Sequence, residues 1–281
     1  MQTGEFKDID YVLDKQGIVT LSFNTPERRN ALSMYSFYEL SLAIDAFMSD
    51  ANAYAMILTG AVDSSGSDPT KEAYSSGGYF SEDAYANLPP EVLSQIDMAD
   101  IAQKRTTLKM VNCDKPILAA VNGLAIGGAV TLTLVGADQT YMSEHAWMQL
   151  PFAKLGICAE LASSFLLPRI VGVQKAKEIM FFAERLSAQK ALELGLVNAV
   201  VPHQELMAYT REKALQLIPP AGSSSSIRSI KRLVNTPLVE PISQALDREN
   251  QALAKLFKSP DFAEAMTARA EKRPAKFKGH N

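Results

Sequence analysis

Residues 115–128 read Lys-Pro-Ile-Leu-Ala-Ala-Val-Asn-Gly-Leu-Ala-Ile-Gly-Gly, and this stretch decides the fold. The uninterrupted apolar run at 116–121 is typical of a strand that is covered on both faces. Gly123 follows in a turn, and Gly128 opens a run of small and apolar residues that predicts a helix. Strand, turn and helix in close succession indicate an α/β core.

The alternation of strands and helices extends to both sides of this stretch. Further strands are predicted at 11–13, 18–23, 55–59, 138–142 and 147–150, and helices at 33–50 and about 90–111. Beyond 160, helices are predicted at 161–171, 173–183, 187–194, 203–217, 223–235, 238–257 and from 261, with 196–201 as the one strand among them. We therefore predict an α/β core over residues 1–201 and a helical C-terminal region over residues 202–281.

Composition excludes several classes of protein. The chain has 281 residues, of which 47% are hydrophobic and 21% charged, as in a globular protein with a large core. A net charge of −3 favours neither nucleic acid nor an anionic membrane as a partner. Residues 1–8 show neither the apolar core of a signal peptide nor an arginine-rich amphipathic pattern, and no apolar run is long enough for a membrane span, so a cytoplasmic location is expected. Two cysteines and three histidines lack metal-ligand spacing, and we expect no metal site.

Two glycine pairs, Gly77-Gly78 and Gly127-Gly128, each follow a predicted strand. Glycine lets backbone N–H groups approach an anion closely, and a helix that starts at Gly128 directs its positive dipole end the same way. Two such N–H groups would form an oxyanion hole. The alternative explanation is that both glycine pairs only allow the chain to make tight turns. The spacing fits neither a dinucleotide-binding fingerprint nor a P-loop, and no nucleophile elbow occurs.

Glu160 is the candidate proton carrier. Its neighbours are small or apolar, which would desolvate the carboxylate and raise its pKa towards that of a useful general base. An acidic residue stabilised by the dipole of a helix first turn is the alternative reading of the same position.

Several motifs together resemble the crotonase, or enoyl-CoA hydratase/isomerase, superfamily. They are residues 115–128, Arg29-Asn30-Ala31-Leu32, Tyr74-Ser75-Ser76-Gly77-Gly78, residues 188–198 and residues 271–278. The resemblance implies a spiral core of repeated ββα units and a helical C-terminal trimerisation region, in a homotrimer or a dimer of trimers. It also implies an acyl-CoA thioester substrate, with no separate cofactor because CoA belongs to the substrate.

The resemblance further assigns roles to residues. The N–H groups of Gly78 and Gly128 would polarise the thioester carbonyl and hold its enolate. The residues expected to bind the CoA part are Arg28, Arg29, Ala31, Ser76, Gly77 and, near the phosphates, Lys278. Tyr79 departs from the family, which usually has an acidic residue there, and the polar excursion 61–73 exceeds the common family turn and could act as a lid.

The acidic residues discriminate between reactions. Hydratases of the superfamily use two glutamates, whose positions match Thr131 and Phe152 here, so hydration is disfavoured. Glu160 falls where enzymes similar to peroxisomal-type 3,2-enoyl-CoA isomerases have a single catalytic glutamate. The resemblance therefore implies an enoyl-CoA isomerase. Another enolate chemistry, such as hydrolysis, decarboxylation or C–C cleavage, and a catalytically degenerate CoA-binding or scaffolding protein are the alternatives.

Overall fold

Two β-sheets form the centre of the protein, whose computed structural model describes residues 6–62, 68–81, 85 and 88–279. Their strands are β1 (Ile9–Leu13), β2 (Ile18–Phe23), β3 (Ala55–Gly60), β4 (Ala73–Ser75), β5 (Ile117–Val121), β6 (Leu124–Ile126), β7 (Gln139–Ser143), β8 (Trp147–Gln149), β9 (Leu186–Ser187) and β10 (Ala199–Val201). The larger sheet has the order β1-β2-β3-β5-β7-β10 and the smaller one β4-β6-β8-β9. Only β1–β2 and β8–β9 pair antiparallel among these strands.

The helices lie between and around the sheets. They are α1 (Met34–Ser49), α2 (Pro90–Leu93), α3 (Lys104–Asn112), α4 (Gly128–Gly136), α5 (Ser163–Val171), α6 (Val173–Phe182), α7 (Ala188–Glu193), α8 (Leu206–Leu217), α9 (Ser224–Leu256) and α10 (Pro260–Ala270). Ser33 caps α1 as predicted, because its hydroxyl accepts the Ser36 N–H. Among the described residues, no helix is both long and apolar enough to cross a bilayer.

A repeated unit relates the two sheets. Consecutive strands β3 and β4, then β5 and β6, then β7 and β8, each place the first strand in the larger sheet and the second in the smaller one. Helices follow each pair, so the chain winds as a spiral of ββα units, and the predicted fold class is confirmed. The strand β6, which directly precedes Gly127 and has no bounds among the predicted strands, pairs with both β4 and β8.

The predicted helix over 90–111 is wrong, because the chain forms α2 and α3 with an irregular segment between them. Asp100 ends that segment: its carboxylate accepts the N–H groups of Lys104 at 2.7 Å and Arg105 at 2.9 Å. These are first-turn amides of α3 that have no partner within the helix. A side-chain cap therefore starts a new helix where the apolar pattern alone suggested a continuous one.

The predicted break near residue 236 is also wrong, since α9 continues through Pro237 and Pro241 for 33 residues. A proline inside a helix costs about 3 kcal/mol. Burial of one face against α3 and α5 offsets this cost, with Ile242, Leu246 and Leu253 almost inaccessible. The prediction of a single strand beyond residue 160 fails as well, because β9 pairs with β8.

The C-terminal helices cover the core. Leu206 and Ala214 of α8 pack with Ile57 and Leu118 beneath the larger sheet, while α9 lies along α3 and α5. The division of the chain into residues 1–201 and 202–281 stays a prediction.

Candidate active site

Two loops that follow neighbouring strands bring the glycine pairs together. Gly77 follows β4 and Gly127 follows β6, and these strands are parallel partners. Gly77 has a φ of +85°, and a Cβ atom there would lie 2.4 Å from the carbonyl oxygen of Ile126. Gly127 has a φ of +52° and precedes the first residue of α4. Glycine at 77 is therefore required both for conformation and for the close approach of two backbones.

The amides of Gly78 and Gly128 are unpaired within the part of the chain that the structure describes. The amides on either side of Gly78 are paired: the Gly77 N–H donates to Ser75 Oγ at 3.1 Å, and the Tyr79 N–H donates to the Leu32 carbonyl at 2.9 Å. Gly128 begins α4, whose dipole favours negative charge at this end. The two free donors therefore form the kind of pair that stabilises an oxyanion.

Glu160 lies directly beside one of these donors. A Cβ atom at Gly128 would be 3.1 Å from Glu160 Oε1, so a larger residue here would press on the carboxylate. Burial, and secondly the negative charge of Glu249, raise the pKa of Glu160 to about 8. A carboxyl group with such a pKa can both accept and return a proton near neutral pH. The alternative reading, a surface acid stabilised by a helix dipole, does not explain a desolvated carboxyl group with a raised pKa.

The loop that carries Glu160 has an unusual backbone. Leu161 and Ala162 both adopt positive φ, at 49° and 58°. The Glu160 carbonyl accepts the N–H of Ser163 at 3.0 Å and its hydroxyl at 2.7 Å. Glu249 of α9 accepts the Ala162 N–H at 2.8 Å. The turn fixes the direction of Glu160 at the beginning of α5.

Two cavities meet at Gly78, Gly128 and Glu160. One, of about 550 Å³, has polar and cationic side chains on its wall, including Arg28, Arg29, Gln149, Arg185 and Arg269. The other, of about 370 Å³, is mainly apolar and is lined by Leu32, Met34, Phe37, Met98, Ile101, Phe257 and Phe262, among others. The reacting centre of a ligand with one charged and one apolar part would lie at their junction.

The predicted CoA-binding residues fall into two groups. Arg28, Arg29, Ser76 and Gly77 line the larger cavity. The guanidinium of Arg28 pairs with Asp8 at 2.6 Å and lies over the Tyr79 ring, 4.6 Å from its centroid.

The remaining predicted residues lie elsewhere. Ala31 is buried and is not on the cavity wall. Lys278 is exposed in the C-terminal segment, where its backbone N–H donates to Asp261 at 3.0 Å. The predicted lid overlaps residues 63–67, which lie outside the described part of the chain.

The two positions that distinguish hydratases carry no acid. Thr131 is completely buried in α4, and its hydroxyl donates to the carbonyls of Gly127 and Gly128 at 3.4 and 3.3 Å. Phe152 lies on the wall of the larger cavity beside Gly127. Neither side chain can transfer a proton to or from a water molecule.

Sequence reasoning missed three features of the site. The guanidinium of Arg185 lies 4.2 Å from the ring centroid of Trp147, and both residues line the larger cavity. Arg269 reaches the same cavity from α10. Phe257 and Phe262, with ring centroids 4.6 Å apart, close the apolar cavity. These residues come from distant segments, so no local motif could indicate them; the single tryptophan of the chain was the one available signal.

Comparison with known proteins agrees with the fold. A family model described as enoyl-CoA hydratase/isomerase matches residues 14–280. A short-chain-enoyl-CoA hydratase of Clostridium acetobutylicum is 30% identical over 93% of this chain and 95% of that protein. Enoyl-CoA delta isomerase 2 of Rattus norvegicus is 30% identical over 94% of this chain and 63% of that protein. The solved structure of an enoyl-CoA hydratase/isomerase from Pseudoalteromonas atlantica matches with a TM-score of 0.81 at 28% identity, covering 96% of this chain and 100% of that one.

The ββα spiral and its structural neighbours define a crotonase-superfamily protein. Within that superfamily, the chain belongs to the enoyl-CoA hydratase/isomerase family. The names of its relatives include both hydratases and isomerases.

Proposed function

We propose that the protein is an acyl-CoA isomerase that moves the double bond of a 3-enoyl-CoA to the 2-position, with Glu160 as acid and base. One observation carries the proposal: Glu160, a partly buried carboxylate with a raised pKa, lies beside Gly128 and lines both cavities together with Gly78. The amides of both glycines are unpaired among the described residues, and Thr131 and Phe152 supply no acid. An allylic shift needs one group that removes a proton and returns it.

The reaction follows from this geometry. The thioester oxygen accepts hydrogen bonds from the N–H groups of Gly78 and Gly128. The Glu160 carboxylate removes a proton from C2, and the electron pair of that C–H bond delocalises into a dienolate whose negative charge rests on the oxygen. The Glu160 carboxyl then returns the proton to C4, and the C3=C4 double bond becomes C2=C3. Each oxyanion donor typically stabilises such a state by about 3–4 kcal/mol.

The two cavities suggest how the substrate lies. The larger one offers Arg29, Arg185 and Arg269 to the phosphates and the nucleotide of CoA. The apolar one would hold the acyl chain, with its C1 carbonyl at the junction between Gly78 and Gly128. Lys278 remains a proposed phosphate contact that would need the C-terminal segment to approach the cavity.

Hydration is the competing function, because several relatives carry that name. It requires a water molecule that is positioned and activated by acids opposite the double bond. Here one of the two corresponding side chains is a buried threonine already bonded to helix carbonyls, and the other is a phenylalanine. The rat relative, by contrast, is named a delta isomerase.

Glu160→Gln tests the proposal directly. We expect isomerisation of 3-hexenoyl-CoA, followed by absorbance of the conjugated thioester, to fall by roughly 10³-fold, since the amide cannot accept the C2 proton. Glu39→Gln is the matched control: Glu39 is also a buried carboxylate that accepts two backbone N–H groups, and it lines neither cavity. Its activity should remain close to that of the wild type.

A panel of thioesters separates the alternatives. The isomerase converts 3-enoyl-CoA, and neither hydrates 2-enoyl-CoA nor dehydrates 3-hydroxyacyl-CoA. Release of free CoA would indicate hydrolysis, and binding without turnover of any thioester would indicate a scaffolding role. Full activity in Glu160→Gln would contradict the proposal.

A further inference from the structure

Glu249 is a buried carboxylate next to the partly buried Glu160, and the reaction proposed above does not use it. It lies on α9, 4% exposed, and faces the loop that carries Glu160. We propose that Glu249 is a positioning residue that fixes both the orientation and the charge state of Glu160, an inference that rests on the proposed isomerase function.

The first argument is the hydrogen bonding of the Glu249 carboxylate. Its Oε2 accepts the N–H of Ala162 at 2.8 Å, and its Oε1 accepts the N–H of Ser164 at 3.0 Å together with the Ser164 hydroxyl. These amides belong to the beginning of α5, where no partner within the helix exists. The residue at the N-cap position is Ala162, whose side chain cannot cap. A carboxylate from a distant helix therefore replaces the missing cap.

The second argument is the backbone between the two glutamates. Leu161 and Ala162 are consecutive non-glycine residues with positive φ. Each such residue costs about 1–3 kcal/mol and persists only where its surroundings hold it. The bond from Ala162 to Glu249 is one such constraint, and it lies two residues from Glu160. Glu249 thereby holds the turn that directs Glu160 towards Gly128.

The third argument is electrostatic. Besides Glu249, ionisable groups on the elements around Glu160 include Cys158 on the preceding loop, Tyr79 and Tyr85 on the wall of the apolar cavity, Arg269 of α10, Arg248 of α9 and Arg169 at the end of α5. After burial, the negative charge of Glu249 is the cause that raises the pKa of Glu160. Burial also raises the pKa of Glu249, but three hydrogen-bond donors and the positive charge of Arg248 act to lower that pKa.

The two carboxyl groups therefore lose their protons in a defined order. Glu249 has three hydrogen-bond donors that favour its charged form, whereas the Glu160 carboxylate has none among the described residues. Glu249 ionises first, and its charge then opposes ionisation of Glu160. The consequence is a stronger base at the position that must abstract a weakly acidic C–H proton.

Glu249→Gln tests the inference, because it keeps the size of the side chain and removes its charge. We expect the pKa on the acidic side of the kcat/KM profile for 3-hexenoyl-CoA to fall by about 1 unit. We also expect kcat at high pH to fall several-fold, because the amide NH₂ cannot accept one of the two backbone N–H groups. Glu39→Gln is again the control and should leave the profile unshifted. A uniform loss of activity without a shift in pKa would leave Glu249 a merely structural role and overturn the inference.

A second measurement does not depend on turnover. Difference infrared titration of wild type against Glu160→Gln reports the carboxyl stretch of Glu160, and the same difference taken in the Glu249→Gln background should titrate at lower pH. If the wild type fails to isomerise but this shift appears, the proposed reaction is wrong and the coupling between the glutamates stands. If the wild type isomerises and the titration of Glu160 does not move, the inference alone is wrong.

Discussion

At the scale of single residues, the site depends on one carboxyl group placed where water solvates it poorly. Its apolar neighbours in sequence predicted a raised pKa, and the structure gives that direction with burial as the main cause. The contribution of Glu249 could not be predicted, because the two residues meet only through tertiary packing of α9. The local sequence indicates that a carboxyl group is desolvated, whereas its charged partner can be identified only from the folded structure.

The raised pKa predicts the pH dependence of catalysis. In the proposed reaction the reactive form of Glu160 is the carboxylate, so activity would require its proton to be absent. Since the pKa is about 8, kcat/KM for isomerisation should fall tenfold per pH unit below about 7 and reach a plateau above about 9. Initial rates with 3-hexenoyl-CoA between pH 5.5 and 9.5 measure this directly. A profile that is flat down to pH 5.5 would mean that a group with an ordinary carboxyl pKa is the base.

Gly77 permits a test of the close approach between the loops that carry the two glycine pairs. A Cβ atom at Gly77 would meet the Ile126 carbonyl at 2.4 Å, whereas Gly195, also with positive φ, has no neighbour within 4 Å. Gly195→Ala should therefore cost only the conformational strain of about 1–2 kcal/mol. Gly77→Ala should lower the free energy of unfolding by about 1–3 kcal/mol more. Chemical denaturation of both variants measures the difference, and equal losses would contradict the packing argument.

At the scale of elements, the sequence predicted those parts of the fold whose pattern is local. The strand β5 and the helix α4 follow from an apolar run, a turn and a glycine start. The failures have other causes: Asp100 starts α3 by capping, and burial keeps α9 continuous through Pro237 and Pro241. The short strands β6 and β9 lack a recognisable pattern of their own, because a ladder partner rather than periodicity defines them.

The segment between α2 and α3 predicts a preference for acyl-chain length. It contributes Met98 and Ile101 to the apolar cavity of about 370 Å³. Each buried methylene contributes about 0.8 kcal/mol, so kcat/KM should rise from 3-hexenoyl- to 3-decenoyl-CoA. Ile101→Trp, which fills part of the cavity, should remove most of that gain. Leu93→Trp, outside the cavity, should not. An unchanged preference in Ile101→Trp would place the acyl chain elsewhere.

At the scale of the whole molecule, the isolated chain exposes several large apolar side chains. Phe181 and Phe182 of α6 are 65% and 63% exposed, and Leu233 of α9 is 76% exposed. Neighbouring exposed apolar residues, such as Phe181 and Phe182, are typical of an interface between subunits. We propose that a homotrimer, or a dimer of trimers, covers part of it.

Sedimentation equilibrium tests that assembly. Leu233→Glu should shift the protein towards the monomer, because a charge at a buried contact is poorly solvated. Val12→Glu is the control, since Val12 is 61% accessible and lies on β1, at the edge of the larger sheet. A wild-type monomer at micromolar concentration would contradict the proposal.

The position of Glu160 at the junction of the two cavities has a stereochemical consequence for the proposed reaction. If one carboxyl group serves both C2 and C4, the hydrogen must leave and rejoin the acyl chain on the same face. While the dienolate exists, that hydrogen would reside on a partly desolvated carboxyl oxygen, and an isotope introduced at C2 should be carried to C4 more often than it is lost. The hydrogen removed from C2 would thus be transferred largely within the same molecule, whereas a site with two separate acids open to solvent would exchange it with water.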